Sequence, residues 1–261
     1  MRAALVELSD GSRAERTARY LRAVPGGYGE GDRFHGVAVP QIRAVVNRAA
    51  LDDDELERLV ASPWHEERMA ALLIAVRRAR RLNRLLDRAQ ARPGSGTQTP
   101  LAVRDALAGR EALGRRYLGW AARGLVNNWD LVDASAEHLV GAWLLVPLAG
   151  AQGLPSRISD LIITSSNVWE RRVAVMSTFA TTRAGTDWPT YAVARLLLDD
   201  PHDLIHKAVG WMLREAGKRV DEASLVAFLD QHAARMPRTM LRYAIERLTP
   251  EARAHYQSLR T

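Results

Sequence analysis

The sequence predicts an all-α fold in which helix pairs stack into a curved solenoid. Apolar residues recur at helical spacing, as at Leu72, Leu73 and Val76, and no segment alternates apolar and polar residues long enough to indicate a strand. A capping residue followed by proline occurs at Ser62-Pro63, Asp200-Pro201 and Thr249-Pro250, and this pair predicts a helix that begins at the proline. Gly217 predicts the end of another helix, because glycine is common just beyond a helix C-terminus.

A degenerate repeat with a spacing of 36 residues indicates the same fold. Equivalent positions carry Trp169, Ile205 and Leu241; Arg171, Lys207 and Tyr243; Val173, Val209 and Ile245; and Ala208 and Ala244. Stacked helix pairs repeat at about this length, because each pair buries its apolar face only against its neighbours. Such arrays curve, and we expect the concave surface to be the binding surface.

The chain is long enough to form one continuous helical array, and we expect a single domain over residues 1–261. The segment Ala91–Pro100 interrupts the helical pattern with glycine, serine, threonine and proline, which predicts a flexible loop inside that domain. Charged residues interrupt Met1–Arg22, which therefore predicts neither a signal peptide nor a membrane span. We expect a soluble, cytoplasmic protein with no membrane partner.

A formal net charge of +7 and a pI near 10.3 favour an anionic partner, which charge alone leaves open between nucleic acid and a membrane surface. Arginine supplies most of the excess, in runs such as Arg77–Arg81 and Arg115-Arg116. Such runs either bind phosphates or form solvated helix faces. The chain has no cysteine, which excludes disulfides, thiol nucleophiles, iron–sulfur clusters and cysteine-ligated zinc.

Three segments combine a tryptophan with charged residues: Asn127–Asp133, Trp169–Arg172 and Lys207–Arg214. Residues three or four apart share a face of a helix, so Asp133 lies beside Trp129, and the other two tryptophans lie beside an arginine. If the three helices converge, they bring together aromatic rings, one carboxylate and several arginines. That combination suits a planar, cationic group attached to phosphates, which is the chemistry of damaged DNA.

Each of these residues also has a purely structural interpretation. Asp130 or Asp133 could cap a helix or pair with a surface arginine while Trp129 packs in the core. The two carboxylates point in different directions, and only Asp133 shares the face of Trp129. Arg171 and Arg172 also face different sides, and either a phosphate or a neighbouring helix could take up their side chains.

Two further features lie inside predicted helices. Gly210 precedes Trp211 and costs about 1 kcal/mol relative to alanine in a helix, so we expect close packing there. His202 and His206 have the spacing of zinc ligands, but no third ligand or zinc-protease glutamate accompanies them, and we predict no metal site. The motifs of nucleotide hydrolases and serine esterases do not occur in the sequence.

Several blocks occur in the order found in one family: Tyr28–Pro40 with Arg43, Ser62–Arg68, Asn128–Asp133, Trp169–Arg172, Asp203–Trp211 and Met236–Arg238. From about Tyr28 to Tyr256, the sequence resembles the AlkD-type DNA glycosylases, which consist of HEAT-like repeats. The resemblance implies a right-handed stack of HEAT-like repeats whose concave face binds DNA.

The resemblance also implies a role for each matched residue. Asp133 matches the catalytic carboxylate, and Trp129 and Trp211 match the catalytic aromatic pair. Arg172 matches the active-site arginine, and Tyr28 matches the N-terminal tyrosine near the lesion. The DNA-binding residues implied in this way are Tyr28, Trp169, Arg171, Lys207, Arg214 and Arg238.

Enzymes of this kind excise cationic N3- or N7-alkylated purines from double-stranded DNA, and they do so without a pocket for a flipped base. The resemblance therefore implies a DNA glycosylase that needs no cofactor, and we expect a monomer. Two alternatives use the same fold: a non-catalytic DNA-binding scaffold and a glycosylase specialised for bulky natural-product adducts. A peptide-binding repeat protein is a third, and it would lack salt-sensitive DNA binding.

Overall fold

The structure is a computed structural model that describes residues 1–91, 100–145 and 153–259. Within those ranges the chain is helical and forms no β-strand, and its one isolated β-bridge joins Arg33 to Trp64. The predicted all-α fold is confirmed. Of the predicted loop Ala91–Pro100, residues 92–99 lie outside the described residues. No helix in the described ranges combines the length and hydropathy that a membrane span requires.

The chain forms two compact units, Met1–Ser135 and Ala136–Thr261, and a single domain over both stays a prediction. The helices of the first unit are α1 (Arg2–Val6), α2 (Gly11–Tyr20), α3 (Val39–Asn47), α4 (Asp53–Val60), α5 (His65–Ala91), α6 (Pro100–Ala122) and α7 (Trp129–Asp133).

Helix α5 packs against α3, α4 and α6 and forms the centre of the first unit. Its segment Met69–Val76 is buried on all sides, which explains why apolar residues and alanine follow one another there without an amphipathic pattern. Arg77 follows this segment and donates hydrogen bonds to the carbonyl oxygens of Val46 and Ala49, at the end of α3. The helix therefore joins a buried first half to an arginine-rich second half.

Two glutamates at the start of α5 attach the N-terminal segments to this core. The carboxylate of Glu66 accepts hydrogen bonds from the three consecutive N–H groups of His35–Val37, at 2.8–3.2 Å. Glu67 pairs with the guanidinium of Arg2 at 2.8 Å. The carboxylates of both glutamates are buried, and their hydrogen bonds offset the cost of removing them from water.

The second unit begins with a π-helix, Glu137–Leu145, and continues with α-helices. These are α8 (Ser156–Ile163), α9 (Val168–Ser177), α10 (Phe179–Arg183), α11 (Trp188–Leu196), α12 (Asp203–Arg219), α13 (Glu222–His232), α14 (Arg238–Ala244) and α15 (Pro250–Ser258). Helix α12 packs against both α9 and α14.

The 36-residue repeat corresponds to the packing order of α9, α12 and α14. The equivalent residues Trp169, Ile205 and Leu241 are buried, one in each of these three helices. A buried position is therefore repeated in helices that are neighbours in space, as the stacked-helix prediction requires.

One predicted helix start is confirmed and another is shifted. Thr249-Pro250 caps and begins α15 as predicted. After Ser62-Pro63, however, the helix begins at His65. The serine Oγ accepts a hydrogen bond from the N–H of Trp64 at 3.1 Å, and the chain at Trp64 pairs with Arg33 before it becomes helical. A contact distant in the sequence thus delays the helix.

Two predictions at α12 are wrong in position. After Asp200-Pro201 the helix begins only at Asp203, because the first aspartate accepts a hydrogen bond from the N–H of His202, and that histidine is the N-cap. Gly217 does not end the helix. It is buried within α12, where an added Cβ would lie 2.5 Å from a methyl carbon of Leu225. This glycine makes room for a neighbouring side chain, so its role is in packing.

Candidate active site

Helix α7 has only five residues, so contacts from outside must hold it in place. Its N-cap is Asn128, which is completely buried. The side chain of Asn128 accepts a hydrogen bond from the N–H of Trp129 at 2.9 Å and donates one to the carbonyl oxygen of Leu21 at 3.1 Å. A Cβ at Gly29 would lie 2.5 Å from that carbonyl oxygen, so glycine allows the chains to approach this closely.

Trp129 and Asp133 are the first and last residues of α7 and lie on one face of it, as the sequence predicts. Both are half-buried, while Leu131 and Val132 between them are buried in the core. The Asp133 carboxylate acts electrostatically on Tyr117 under the helix. Burial raises the pKa of Tyr117, and the charge of Asp133 adds to that effect.

Tyr20 is a candidate that sequence reasoning missed. Its ring meets the ring of Trp129 edge-on, with centroids 5.6 Å apart and planes at 83°. The Tyr20 residue is nevertheless 70% exposed, so much of its ring is accessible to a ligand. Tyr28, the tyrosine singled out by resemblance, lies half-buried in the segment between α2 and α3. The aromatic surface at α7 therefore includes a residue from the end of α2.

A buried histidine joins α7 to the start of α5. His65 Nε2 lies 2.8 Å from Oδ2 of Asp130, and His65 Nδ1 lies 3.0 Å from Oδ2 of Asp32. Burial opposes a positive charge on the ring, but the hydrogen bonds to Asp130 and Asp32 outweigh it and raise the pKa of His65 to about 9. The histidine is therefore an imidazolium at neutral pH, with a carboxylate on each nitrogen.

Asp32 has two further partners. Arg68 pairs with it at 2.5 Å and Asn127 donates a hydrogen bond to it at 3.0 Å. Burial opposes the charge of Asp32, yet the hydrogen bonds from His65 and Arg68 hold its pKa below the ordinary value. Asp130 thus faces the buried network of His65 and Asp32.

In the second unit, Arg171 and Arg172 connect α9 to the start of α12. Arg171 Nε donates to Asp200 Oδ2 at 2.6 Å, and its Nη1 donates to the carbonyl oxygen of Ser165 at 3.2 Å. Arg172 is only 4% exposed and donates to the carbonyl oxygen of Leu204 at 2.6 Å. Both guanidinium groups therefore position protein segments, whatever else they do.

Gly210 explains the close packing of α12 on α14. A Cβ there would lie 2.4 Å from the carbonyl oxygen of Met240 and 2.6 Å from Cβ of Tyr243, so only glycine fits. The close approach predicted from the sequence is confirmed. Trp211, the next residue, is half-buried, and Trp169 of α9 is buried.

The remaining predicted DNA-binding residues differ in how they are held. Lys207 pairs with Asp203 at 2.7 Å, although its side chain stays 41% exposed. Arg214 pairs with Glu215 at 3.0 Å and with Glu246 at 2.5 Å. Arg238 is exposed at the first position of α14. Convergence of the three tryptophan segments stays a prediction.

The two histidines spaced for zinc have other roles in the structure. His202 Nδ1 accepts a hydrogen bond from the N–H of Leu204 at 3.2 Å and so caps α12. His206 Nε2 lies 2.5 Å from the carbonyl oxygen of Asp200. His202 thus serves as a helix cap, and His206 contacts the backbone that precedes the helix.

Comparison with known proteins identifies the family of this chain. The sequence pattern of a family described as DNA alkylation repair enzyme matches residues 1–248. The chain belongs to this family. Among solved structures, it is similar to one titled "Predicted DNA alkylation repair enzyme from Enterococcus faecalis", with a TM-score of 0.61 over 93% of this chain and 97% of that chain. Their sequences are 14% identical, so this likeness shows the fold alone.

A comparison with curated protein sequences gives no match. Membership of the DNA alkylation repair enzyme family supports a role in DNA repair and implies that the protein binds DNA.

Proposed function

We propose that the protein is a monofunctional DNA glycosylase that hydrolyses the N-glycosidic bond of cationic N3- or N7-alkylated purines in duplex DNA. The observation that carries this proposal is the position of Asp133 on the Trp129 face of α7, a helix fixed by a buried N-cap and a buried histidine. Membership of the DNA alkylation repair enzyme family supports the same conclusion.

The chemistry requires little from the protein besides electrostatics. Alkylation leaves a positive charge on the purine, so the bond from C1′ to the base can break with the electron pair leaving on a neutral base. The deoxyribose then carries positive charge, and a water molecule adds to C1′ and loses a proton. The carboxylate of Asp133 stabilises that charge and orients the water. No general acid is needed to release the base.

Aromatic faces complete the proposed site. The ring of Trp129 lies beside Asp133 on α7, and the exposed ring of Tyr20 extends the aromatic surface. A cationic base or sugar gains about 0.5–2 kcal/mol from such faces. We assign Trp211 the role of second catalytic tryptophan by its family match, and we assign Arg172 the positioning of α12 in addition to its matched role.

In the second unit, we propose that the residues whose charged groups are accessible to solvent contact DNA phosphates. Arg238 is exposed at the start of α14, and Lys207 keeps much of its side chain in solvent despite its ion pair. Arg171 and Arg214 are bound to acidic side chains, so we propose that they support DNA binding through the helices they connect.

The test is base release from duplexes containing N7-methylguanine or a bulky cationic adduct, under single-turnover conditions. Asp133→Asn should lower the rate by about 100- to 1000-fold, because one preorganised interaction with a charged transition state has that size. The matched control is Asp105→Asn, which removes the same charge from an exposed position of α6. Unchanged stability and DNA affinity would show that the variant is folded.

Two outcomes would contradict the proposal. Wild-type protein that binds damaged DNA and releases no base would indicate the non-catalytic scaffold. Base release by Asp133→Asn at the rate of Asp105→Asn would remove Asp133 from the mechanism. Release of the bulky adduct in strong preference to the methylated base would instead identify the specialised glycosylase.

A further inference from the structure

The second half of α5 lines a cavity that the proposed function does not use. This cavity lies between α3 and α5 and has a volume of about 310 Å³. Its apolar part consists of Val46, Leu73 and Val76, all of them buried. The polar groups around it are Arg43, Asn47, Arg77, Arg80 and Arg84. The described residues that line the cavity thus include four arginines and no carboxylate.

The arginine run of α5 is divided between two faces of the helix. Arg78 and Arg81 line a second groove, towards α6, and there Asp53 supplies a counter-charge to Arg78. Asp53 pairs with Arg116 at 2.9 Å and with Arg78 at 2.6 Å. The hydrogen bond from Arg116, with that from Arg78, holds the pKa of Asp53 below its ordinary value. The groove towards α6 is a structural ion-pair cluster.

The cavity towards α3 differs because no carboxylate among the described residues lines it, and part of its charge is available. Arg43 and Arg84 are exposed and make no hydrogen bond or ion pair with any other residue in the described parts of the chain. Arg77 is anchored to carbonyl oxygens of α3 and is a fixed positive charge in the wall. Like charges around one cavity repel each other, and a bound anion would offset that repulsion.

We propose that this arginine-lined cavity binds the phosphodiester backbone of the DNA duplex at a distance from the damaged base. The proposal rests on the proposed function in one respect, because that function places the lesion at α7. That the ligand is an anion follows from the arginines alone. Guanidinium forks match the geometry of phosphate oxygens, and the amide of Asn47 offers a further donor. Contacts of this type fix position and do not depend on base sequence.

The length of α5 sets the distance between the two sites. The helix begins at His65, which is bonded to α7, and Arg77 and Arg84 follow 12 and 19 residues later. At about 1.5 Å per residue, they lie roughly 18 and 28 Å along the helix from that end. Successive phosphates of one strand are about 3.4 Å apart along the DNA axis, so on a duplex that runs parallel to α5 the contacts fall about five to eight base pairs from the lesion.

The first experiment measures binding of the full chain to an undamaged duplex of about 24 base pairs as the salt concentration rises. Each phosphate contact contributes about −0.9 to the slope of log affinity against log salt. We therefore expect the double variant Arg43→Ala/Arg84→Ala to reduce the magnitude of the slope by about 1.8. The control is Arg81→Ala, which removes a charge from the groove towards α6 on the same helix and should keep the wild-type slope.

The second experiment tests the distance with a stable abasic-site analogue at the centre of the duplex. On a duplex with about ten base pairs on each side of the analogue, wild type should show a steeper salt dependence than the double variant. On a duplex with about three base pairs on each side, which does not reach the cavity, the two proteins should have equal slopes. Base release by wild type, measured separately, reports on the proposed function alone. If wild type released no base, the salt slopes would still show whether the cavity binds the DNA backbone.

Three results would overturn the proposal. The double variant could keep the wild-type slope on the long duplex, or Arg81→Ala could lower the slope equally, which would indicate a general charge effect. Alternatively, inorganic pyrophosphate could bind wild type more tightly than the double variant while DNA binding is the same for both. That last result would identify a site for a small free anion. Urea unfolding of each variant confirms that folding is unchanged.

Discussion

His65 Nε2 lies 2.8 Å from Oδ2 of Asp130, so the first residue of α5 is hydrogen-bonded directly to the helix that carries Asp133. The other ring nitrogen of His65 binds Asp32, which precedes α3. One protonated ring therefore holds three segments that are distant in sequence. The candidate catalytic helix depends on the charge of a residue that does not belong to its catalytic face.

Stability should depend on pH through His65. Its pKa is about 9 in the folded protein against an ordinary 6.5, so its contribution is complete below about pH 6.5 and is lost as the pH rises through about 9. The loss should approach about 3 kcal/mol in the free energy of unfolding. Urea unfolding at several pH values measures it. His65→Gln should show a flatter dependence over this range, and parallel curves for the two proteins would contradict the prediction.

Arg172→Ala should destabilise the protein even without DNA. The substitution leaves the carbonyl oxygen of Leu204 without the guanidinium that now donates to it, which costs about 1–3 kcal/mol when the acceptor is buried. Lys207→Ala is the control, because its exposed ion pair should contribute no more than about 1 kcal/mol. Equal unfolding free energies for the two variants would contradict this assignment. A salt slope measured in parallel tests whether Arg172 also contacts phosphate.

Two glycine substitutions should have opposite effects. Gly210→Ala places a Cβ against the backbone of α14 and should cost more than about 1 kcal/mol, because the helices must separate. Gly119→Ala lies in α6 with no atom within 4 Å of the added Cβ, and it should stabilise by about 0.4–1 kcal/mol. Thermal unfolding measures both changes. A stabilised Gly210→Ala variant would show that α12 and α14 pack less closely than described.

Excision should require a cationic lesion and tolerate large substituents. The proposed mechanism reads the charge of the base, so release should follow leaving ability: N3-methyladenine and N7-methylguanine are released, and neutral hypoxanthine is retained. A matched series of duplexes with increasing alkyl size measures this. A close-packed pocket would lose rate steeply with each added carbon. Efficient release of hypoxanthine, or rejection of every group larger than methyl, would indicate a base-flipping pocket.

The sequence predicts α7 well because its signals are local. Trp129 and Asp133 share a face through helical spacing, whereas Asp130 directly follows Trp129 and does not share the face of that tryptophan. The packing of Gly210 is also visible locally, since glycine in a helix interior costs stability unless something requires it. By contrast, Gly217 packs against Leu225, and in the sequence such a glycine cannot be distinguished from one that ends a helix.

The residues that sequence reasoning missed make contacts far along the chain. Tyr20 contacts Trp129, which is more than a hundred positions away in the sequence. The N-terminal sequence around Tyr20 contains frequent charged residues and no pattern that indicates a site. His65 and its two carboxylates are separated by 33 and 65 positions. Each of them has an ordinary composition around it, and only the fold brings their polar atoms within hydrogen-bond distance.

The shortness of α7 has a consequence for its motions. Five residues cannot keep a helix closed in water, so the amides of α7 are protected from exchange with solvent only while Asn128 and His65 hold their partners. Opening of the candidate catalytic helix therefore requires opening of the N-terminal segments as well. In hydrogen–deuterium exchange, the peptide containing Asp133 should exchange together with those containing Leu21 and Asp32, as one cooperative element.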